Sequence, residues 1–129
     1  MEAASSYADL RRQEAVSAKR LYAVDARCTA RSPVTDPTDL TDLAVAAVTA
    51  GGGHVLDASH VIFPNGAITL VLILAESHLS IHTWPEENLI ALDLFSCGAI
   101  DGRRVIDELV AALRLEAASV TEVERGLAS

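Results

Sequence analysis

Apolar and polar residues alternate, imperfectly, from Leu21 to Arg27, and this period of two predicts a first strand. Residues 28–38 (CTARSPVTDPT) hold two prolines and several turn formers and read as a loop. The period then changes. Leu40, Leu43, Ala44, Ala47 and Val48 recur at helical spacing. Asp36 precedes Pro37 as an N-cap precedes an N1 proline, and Thr38 is the alternative cap. Gly51-Gly52-Gly53 ends this helix, because glycine takes the left-handed conformation past a helix end at low cost. Before it all, residues 1–18 are polar and Ala-rich with little pattern, a loose arm with at most a short helix from Tyr7 to Ala18.

His54–Phe63 and Ala67–Ala75 read as two strands of a hairpin joined through Pro64-Asn65-Gly66. The second is apolar on both faces from Thr69 onward, which predicts a central strand covered on each side. Residues 79–84 are extended and stop at Pro85, and Leu89–Phe95 is another strand. A second helix starts at Asp101 or Gly102, with Val105, Ile106, Leu109, Val110 and Leu113 on one face. Val120–Val123 is a short last strand. The order β-α-β-β-β-α-β predicts an α+β fold, a two-layer α/β sandwich with a largely antiparallel sheet and two helices on one face. Residues 19–129 form its single domain.

Composition narrows the picture. A chain of 129 residues is sized for one domain. Half its residues are apolar but only 4% are aromatic, so the core is aliphatic. The formal charge of −8 argues against a nucleic-acid partner or an anionic membrane surface. No apolar run approaches the ~20 residues of a membrane span, and no signal peptide is recognisable. Two cysteines do not make a disulfide framework. The expectation is a cytoplasmic protein. The charge is also uneven: residues 1–36 carry +1 and residues 37–129 carry −9. Beyond aiding solubility, such a field favours a small cationic ligand over an anionic one.

Chemically versatile side chains collect in one segment, Glu76–Gly98 (ESHLSIHTWPEENLIALDLFSCG). Three chemistries compete for it. His78 and His82 have i,i+4 spacing, but on a strand such residues stand ~13 Å apart, too far to share one metal ion. A hydrolase triad from Ser77 or Ser80 with His82 lacks a Gly-x-Ser-x-Gly elbow. The third is attack by a serine hydroxyl on the peptide bond before it. An N→O acyl shift gives an ester, and β-elimination and hydrolysis then leave a pyruvoyl group on the new N-terminus. This needs a strained turn and a nearby acid/base such as His82, with no external cofactor.

The eleven residues Glu76–Glu86 (ESHLSIHTWPE), followed by a strand and Phe95-Ser96-Cys97-Gly98, closely resemble the prokaryotic S-adenosylmethionine decarboxylases, small pyruvoyl enzymes of polyamine (spermidine) synthesis. The likeness extends more weakly from about Leu21 to Gly126 and takes in Cys28 and Glu124-Arg125-Gly126; the arm lies outside it. It implies a proenzyme that cleaves itself between Glu76 and Ser77 into a β chain (1–76) and an α chain (77–129). Ser77 would become the covalent pyruvoyl cofactor, with neither metal nor pyridoxal phosphate. By the same resemblance His82 assists processing, supported by the hydroxyl of Thr69. Cys97 protonates the decarboxylated carbon, and a thiol's ordinary pKa of ~8.5 suits a donor. Phe63, Trp84 and Glu86 bind the substrate, whose sulfonium suits aromatic faces. The substrate amine condenses with the pyruvoyl ketone as a Schiff base, and loss of CO₂ leaves electrons that the conjugated imine accepts. Small members of the family are symmetric dimers, so a homodimer of processed protomers is implied, with each site able to borrow partner residues.

Three stretches depart from the family pattern. Glu87-Asn88-Leu89 stands where an aromatic-glycine-aromatic run is common, Lys19-Arg20 where a Gly-His is frequent, and Leu70 where a second glycine follows Thr69. The departures fall around the pocket, which raises the alternative of the same chemistry on ornithine or arginine, with Glu87 pairing a second cationic group. An inactive binding or regulatory homologue is a third reading, opposed by the joint presence of Ser77, His82 and Cys97. Taken singly, Phe63 and Trp84 read as core aromatics, Cys28 as structural, and His54 and His60 as ordinary strand histidines.

Overall fold

A computed structural model describes residues 18–127. The first seventeen residues, which hold nearly all of the expected arm and its short helix, lie outside the described residues. Six strands form one sheet: β1 (Lys19–Arg27), β2 (Val55–Ile62), β3 (Ile68–Leu74), β4 (Ser77–Trp84), β5 (Leu89–Cys97) and β6 (Glu116–Arg125). Their spatial order is β2-β3-β4-β5-β1-β6, and every pairing is antiparallel. Helices α1 (Pro37–Ala50) and α2 (Gly102–Ala112) pack together on one face. The expected α+β sandwich is therefore present, with one more strand between the helices than expected. The extended segment at 79–84 begins earlier and pairs along its length with both β3 and β5.

Local chemistry accounts for the element ends. Asp36 caps α1 by accepting from the Thr38 N–H at 2.8 Å, which decides between the two candidate caps. Gly51 is the C-cap, and the left-handed conformation falls one residue later at Gly52 (φ 87°). Asp101 caps α2 by accepting from the Arg104 N–H at 3.1 Å. The last strand is longer than the expected Val120–Val123 because its partner β1 extends to Lys19, which pairs with Arg125.

The alternation along each strand sorts the sheet into two faces. Ile68, Leu70, Leu72 and Leu74 of β3, Leu79 and Ile81 of β4, and Ile90, Leu92 and Leu94 of β5 are buried beneath the helices. Leu40, Ala44 and Val48 of α1 and Val105, Ile106 and Leu109 of α2 close this core from above. It is aliphatic, as the composition predicts, with Tyr22 as its buried aromatic. The opposite face carries no helix. Across it run Thr69, Val71 and Ile73, then His82, Ser80 and His78, then Ala91, Asp93 and Phe95, in register. Within one chain β3 is covered on its helix side only, and Ile73 on the open face is 48% exposed. The apolar run on β3 reflects one core face and one bare face.

Candidate active site

The β3–β4 hairpin carries the centre of interest. β3 ends at Leu74 and β4 begins at Ser77, so Ala75-Glu76 is a two-residue turn. Favoured two-residue hairpin turns place positive φ on one or both central residues. Here neither Ala75 nor Glu76 has positive φ, and the left-handed value falls on Ser77 instead, at φ 127°. A non-glycine residue in that region stores about 1–3 kcal/mol of strain. Glu76 is buried although it is a carboxylate in a turn. Its carbonyl oxygen accepts from the Cys97 N–H at 3.2 Å and from the Cys97 thiol at 3.5 Å. Ser77 Oγ lies 3.7 Å from Cys97 Sγ. The end of β5 thus brings a thiol to the hydroxyl of Ser77 and to the peptide bond before it.

A hydroxyl in a strained residue, next to a carbonyl already held by two donors, is the arrangement that an N→O acyl shift requires. The donors on Glu76 O face the charge that develops as that carbonyl becomes tetrahedral. These residues fit a group generated from Ser77 itself.

Thr69, His82, Trp84, Phe63 and Glu86 gather at the other end of the hairpin. Thr69 Oγ1 and His82 Nδ1 are hydrogen-bonded at 3.2 Å across the β3–β4 pair. The His82 and Trp84 rings are 6.2 Å apart between centroids. Glu86, in the single 3-10 turn Pro85–Glu87, accepts from Asn65 Nδ2 at 3.1 Å, which ties it to the turn after Phe63. Trp84 and Phe63 are 37% and 46% exposed, so neither is a core aromatic. His82 is five residues along β4 from Ser77, about 16 Å at ~3.3 Å per residue. The expectation of His82 as an acid/base close to Ser77 is therefore not met within one chain. The histidine at the Ser77 end of β4 is His78, whose ring lies 6.0 Å from that of Phe95. His78 and His82 are both on the strand, as the argument against a shared metal requires.

In the sequence His54 reads as an ordinary strand histidine, yet it precedes β2 and contacts Glu76 directly. Its backbone N–H donates to Glu76 Oε1 at 2.8 Å, and its ring Nδ1 lies 2.6 Å from Oε2. Twenty-two residues separate the pair, and no local signal marks it. Cys28 is half-buried in a cleft walled by Thr29, Val34, Thr83, Trp84 and Pro85, and burial pushes its thiol pKa up.

Two of the departures from the family pattern are structurally accommodated. Asn88 adopts the left-handed conformation (φ 51°) expected where a glycine is common, and asparagine tolerates it better than most residues. Leu70 points into the helix-side core, away from the open face. Arg20 pairs with Glu122 of β6 at 2.6 Å, which raises its pKa further. Glu87 is exposed beside Asp25 and Arg27.

A strained serine beside a thiol stands at a strand junction of a two-layer α+β sandwich. The solved adenosylmethionine decarboxylase from Aquifex aeolicus superposes with a TM-score of 0.78 at 25% identity, covering 88% of this chain and 94% of that one. Residues 20–126 match the family model described as S-adenosylmethionine decarboxylase. An S-adenosylmethionine decarboxylase proenzyme of Pyrococcus furiosus is 31% identical over 82% of this chain and 77% of its own length. An S-adenosylmethionine decarboxylase proenzyme 2 of Bacillus cereus is 38% identical over 64% of this chain and 68% of its own. The chain belongs to the S-adenosylmethionine decarboxylase family of pyruvoyl-dependent carboxy-lyases.

Proposed function

We propose that this chain is a proenzyme that cleaves itself between Glu76 and Ser77, and that the pyruvoyl group so formed decarboxylates S-adenosylmethionine. The observation that carries the reading is Ser77 itself, strained at φ 127° and 3.7 Å from Cys97, within the motif that led to the family. In the first step Ser77 Oγ bonds to the Glu76 carbonyl carbon, the C–N bond breaks, and the hydroxyl proton ends on the freed amine. The Ser77 Cα proton is then removed and the Cβ–O bond breaks, leaving residue 76 as a carboxylate at the end of the 1–76 β chain. Hydrolysis releases ammonia and leaves the ketone at the start of the 77–129 α chain. The pyruvoyl carbonyl supplies an electrophile for the substrate amine and a sink for the electron pair that CO₂ leaves behind. Cys97 delivers the proton to that carbon, and this role requires a free thiol, which suits the reducing cytoplasm.

The remaining roles imply a second copy. Thr69 and His82 assist processing, and Phe63, Trp84 and Glu86 hold the cationic substrate, yet all stand at the far end of the sheet from Ser77. A two-fold axis between two open faces, running across the strands, stacks the His82 end of one chain over the Ser77 end of the other. The exposed Ile73, Phe63 and Trp84 would be covered by the same contact. A homodimer of processed protomers, each a single domain over residues 19–129, meets both requirements.

An intact-mass spectrum of the purified chain tests the cleavage, and CO₂ release from S-adenosylmethionine, ornithine and arginine tests the substrate. We expect two fragments split at Glu76/Ser77 and release from S-adenosylmethionine alone. Release from ornithine or arginine instead would move the substrate to the rival reading. A single uncleaved mass with no CO₂ would leave an inactive homologue.

A further inference from the structure

We infer that His54 is a positioning residue for self-cleavage, acting through the side chain of Glu76. The inference rests on the cleavage reading above and concerns a residue outside the recognised motif.

Burial is unequal across the His54–Glu76 pair. The Glu76 side chain is 5% exposed and the His54 side chain 56%. A buried carboxylate needs partners for both oxygens. His54 supplies both, its backbone N–H at 2.8 Å to Oε1 and its ring Nδ1 at 2.6 Å to Oε2. In the tautomer that protonates Nδ1, the ring donates to Oε2. The same residue's carbonyl accepts from the Ala75 N–H at 2.9 Å. Both residues of the turn are therefore strapped to His54, and on the other side the Glu76 carbonyl is held by Cys97. The exposed ring contributes little to the core, so its direct contact here is polar.

The strap has a conformational consequence. A free Ala75-Glu76 turn has other options, including turns that put positive φ on its own residues and leave Ser77 regular. Reaching them requires Glu76 to rotate. With its carboxylate fixed to His54 and its carbonyl fixed to Cys97, Glu76 cannot rotate, and the strain stays on Ser77. Strained backbone persists only where the surroundings over-determine it. His54 is one of the groups that do so, and it keeps the scissile carbonyl aimed at Cys97 while Ser77 Oγ attacks.

The test follows the first-order cleavage of freshly translated full-length chain by intact mass. Removing a hydrogen bond to a charged group costs about ten- to a hundred-fold in such a rate. His54→Ala and His54→Phe are expected to cleave that much more slowly than wild type. His54→Asn places an amide N–H where Nδ1 stood, since both nitrogens are bonded to Cγ, and is expected to stay within about threefold of wild type. The four chains should melt within a few degrees of one another, because the ring is exposed. Wild-type rates in the Ala and Phe variants overturn the inference, as does an Asn variant as slow as Phe. A wild-type chain that never cleaves overturns the underlying reading as well, so the two failures are told apart.

Discussion

At the scale of residues, the thiol of Cys97 has two neighbours with different meanings. It donates to the Glu76 carbonyl, and it stands beside Ser77 Oγ. The backbone N–H of Cys97 also holds that carbonyl, and this contact survives removal of the side chain. Cys97→Ala is therefore expected to retain cleavage, slowed about tenfold at most, while turnover per pyruvoyl group falls by about 10²–10⁴-fold, the range for loss of a positioned proton donor. Intact mass and CO₂ release on one sample separate the two effects. Wild-type turnover in that variant would remove Cys97 from the decarboxylation step. The eleven-residue motif made Ser77 and His82 legible in the sequence, and Phe95-Ser96-Cys97-Gly98 after the next strand did the same for Cys97. His54 was not, because a contact across twenty-two residues depends on where β2 starts relative to the β3–β4 turn.

At the scale of elements, α2 is held close to β1 by a position without a side chain. A Cβ built on Gly102 would run into the Tyr22 ring, and neither the α2 backbone nor the buried ring has room to give. Gly102→Ala is expected to destabilise the fold by about 1–3 kcal/mol, the usual cost of overpacking a closed core. Urea unfolding at an unchanged m-value would show it, and a midpoint equal to wild type would mean that the helix shifts freely. Most elements were legible from period and punctuation. Asp36-Pro37, the glycine triplet and Pro64-Asn65-Gly66 mark boundaries that the structure keeps. β4 was read only from residue 79 because its alternation rests on just two apolar residues, Leu79 and Ile81, among polar ones, and its strand character comes from pairing with a neighbour on each side.

At the scale of the whole molecule, the residues of the motif divide into two groups at opposite ends of β4. In the proposed dimer each reactive centre takes Ser77 and Cys97 from one chain and His82 from the other. Ser77→Ala has no nucleophile, and His82→Ala has no processing histidine. In a mixed dimer the His82→Ala chain retains Ser77 and faces the intact His82 of its partner. Co-expression of the two variants is therefore expected to give cleaved His82→Ala chain at a level neither variant reaches alone, read by mass. Cleavage of His82→Ala alone at the wild-type rate, or none in the mixture, would argue that the centre is completed within one chain. The described residues contain no helix long and apolar enough to cross a membrane, and the acidic charge of the folded segment suits a sulfonium substrate.

The sequence by itself determined the sandwich, the aliphatic core, the segment that holds the chemistry and the family. Those properties depend on periodicity, on turn residues and on a contiguous motif, all of which are local along the chain. Only the tertiary structure decided that one face of the sheet is bare, that Phe63 and Trp84 lie on the surface, and that Ser77 and His82 are held apart. It alone joined His54 to Glu76. Each of these depends on strand register and on which elements the helices cover. Register is settled by the packing of the whole sheet, and a side chain's neighbours across it are not written in its neighbours along the chain.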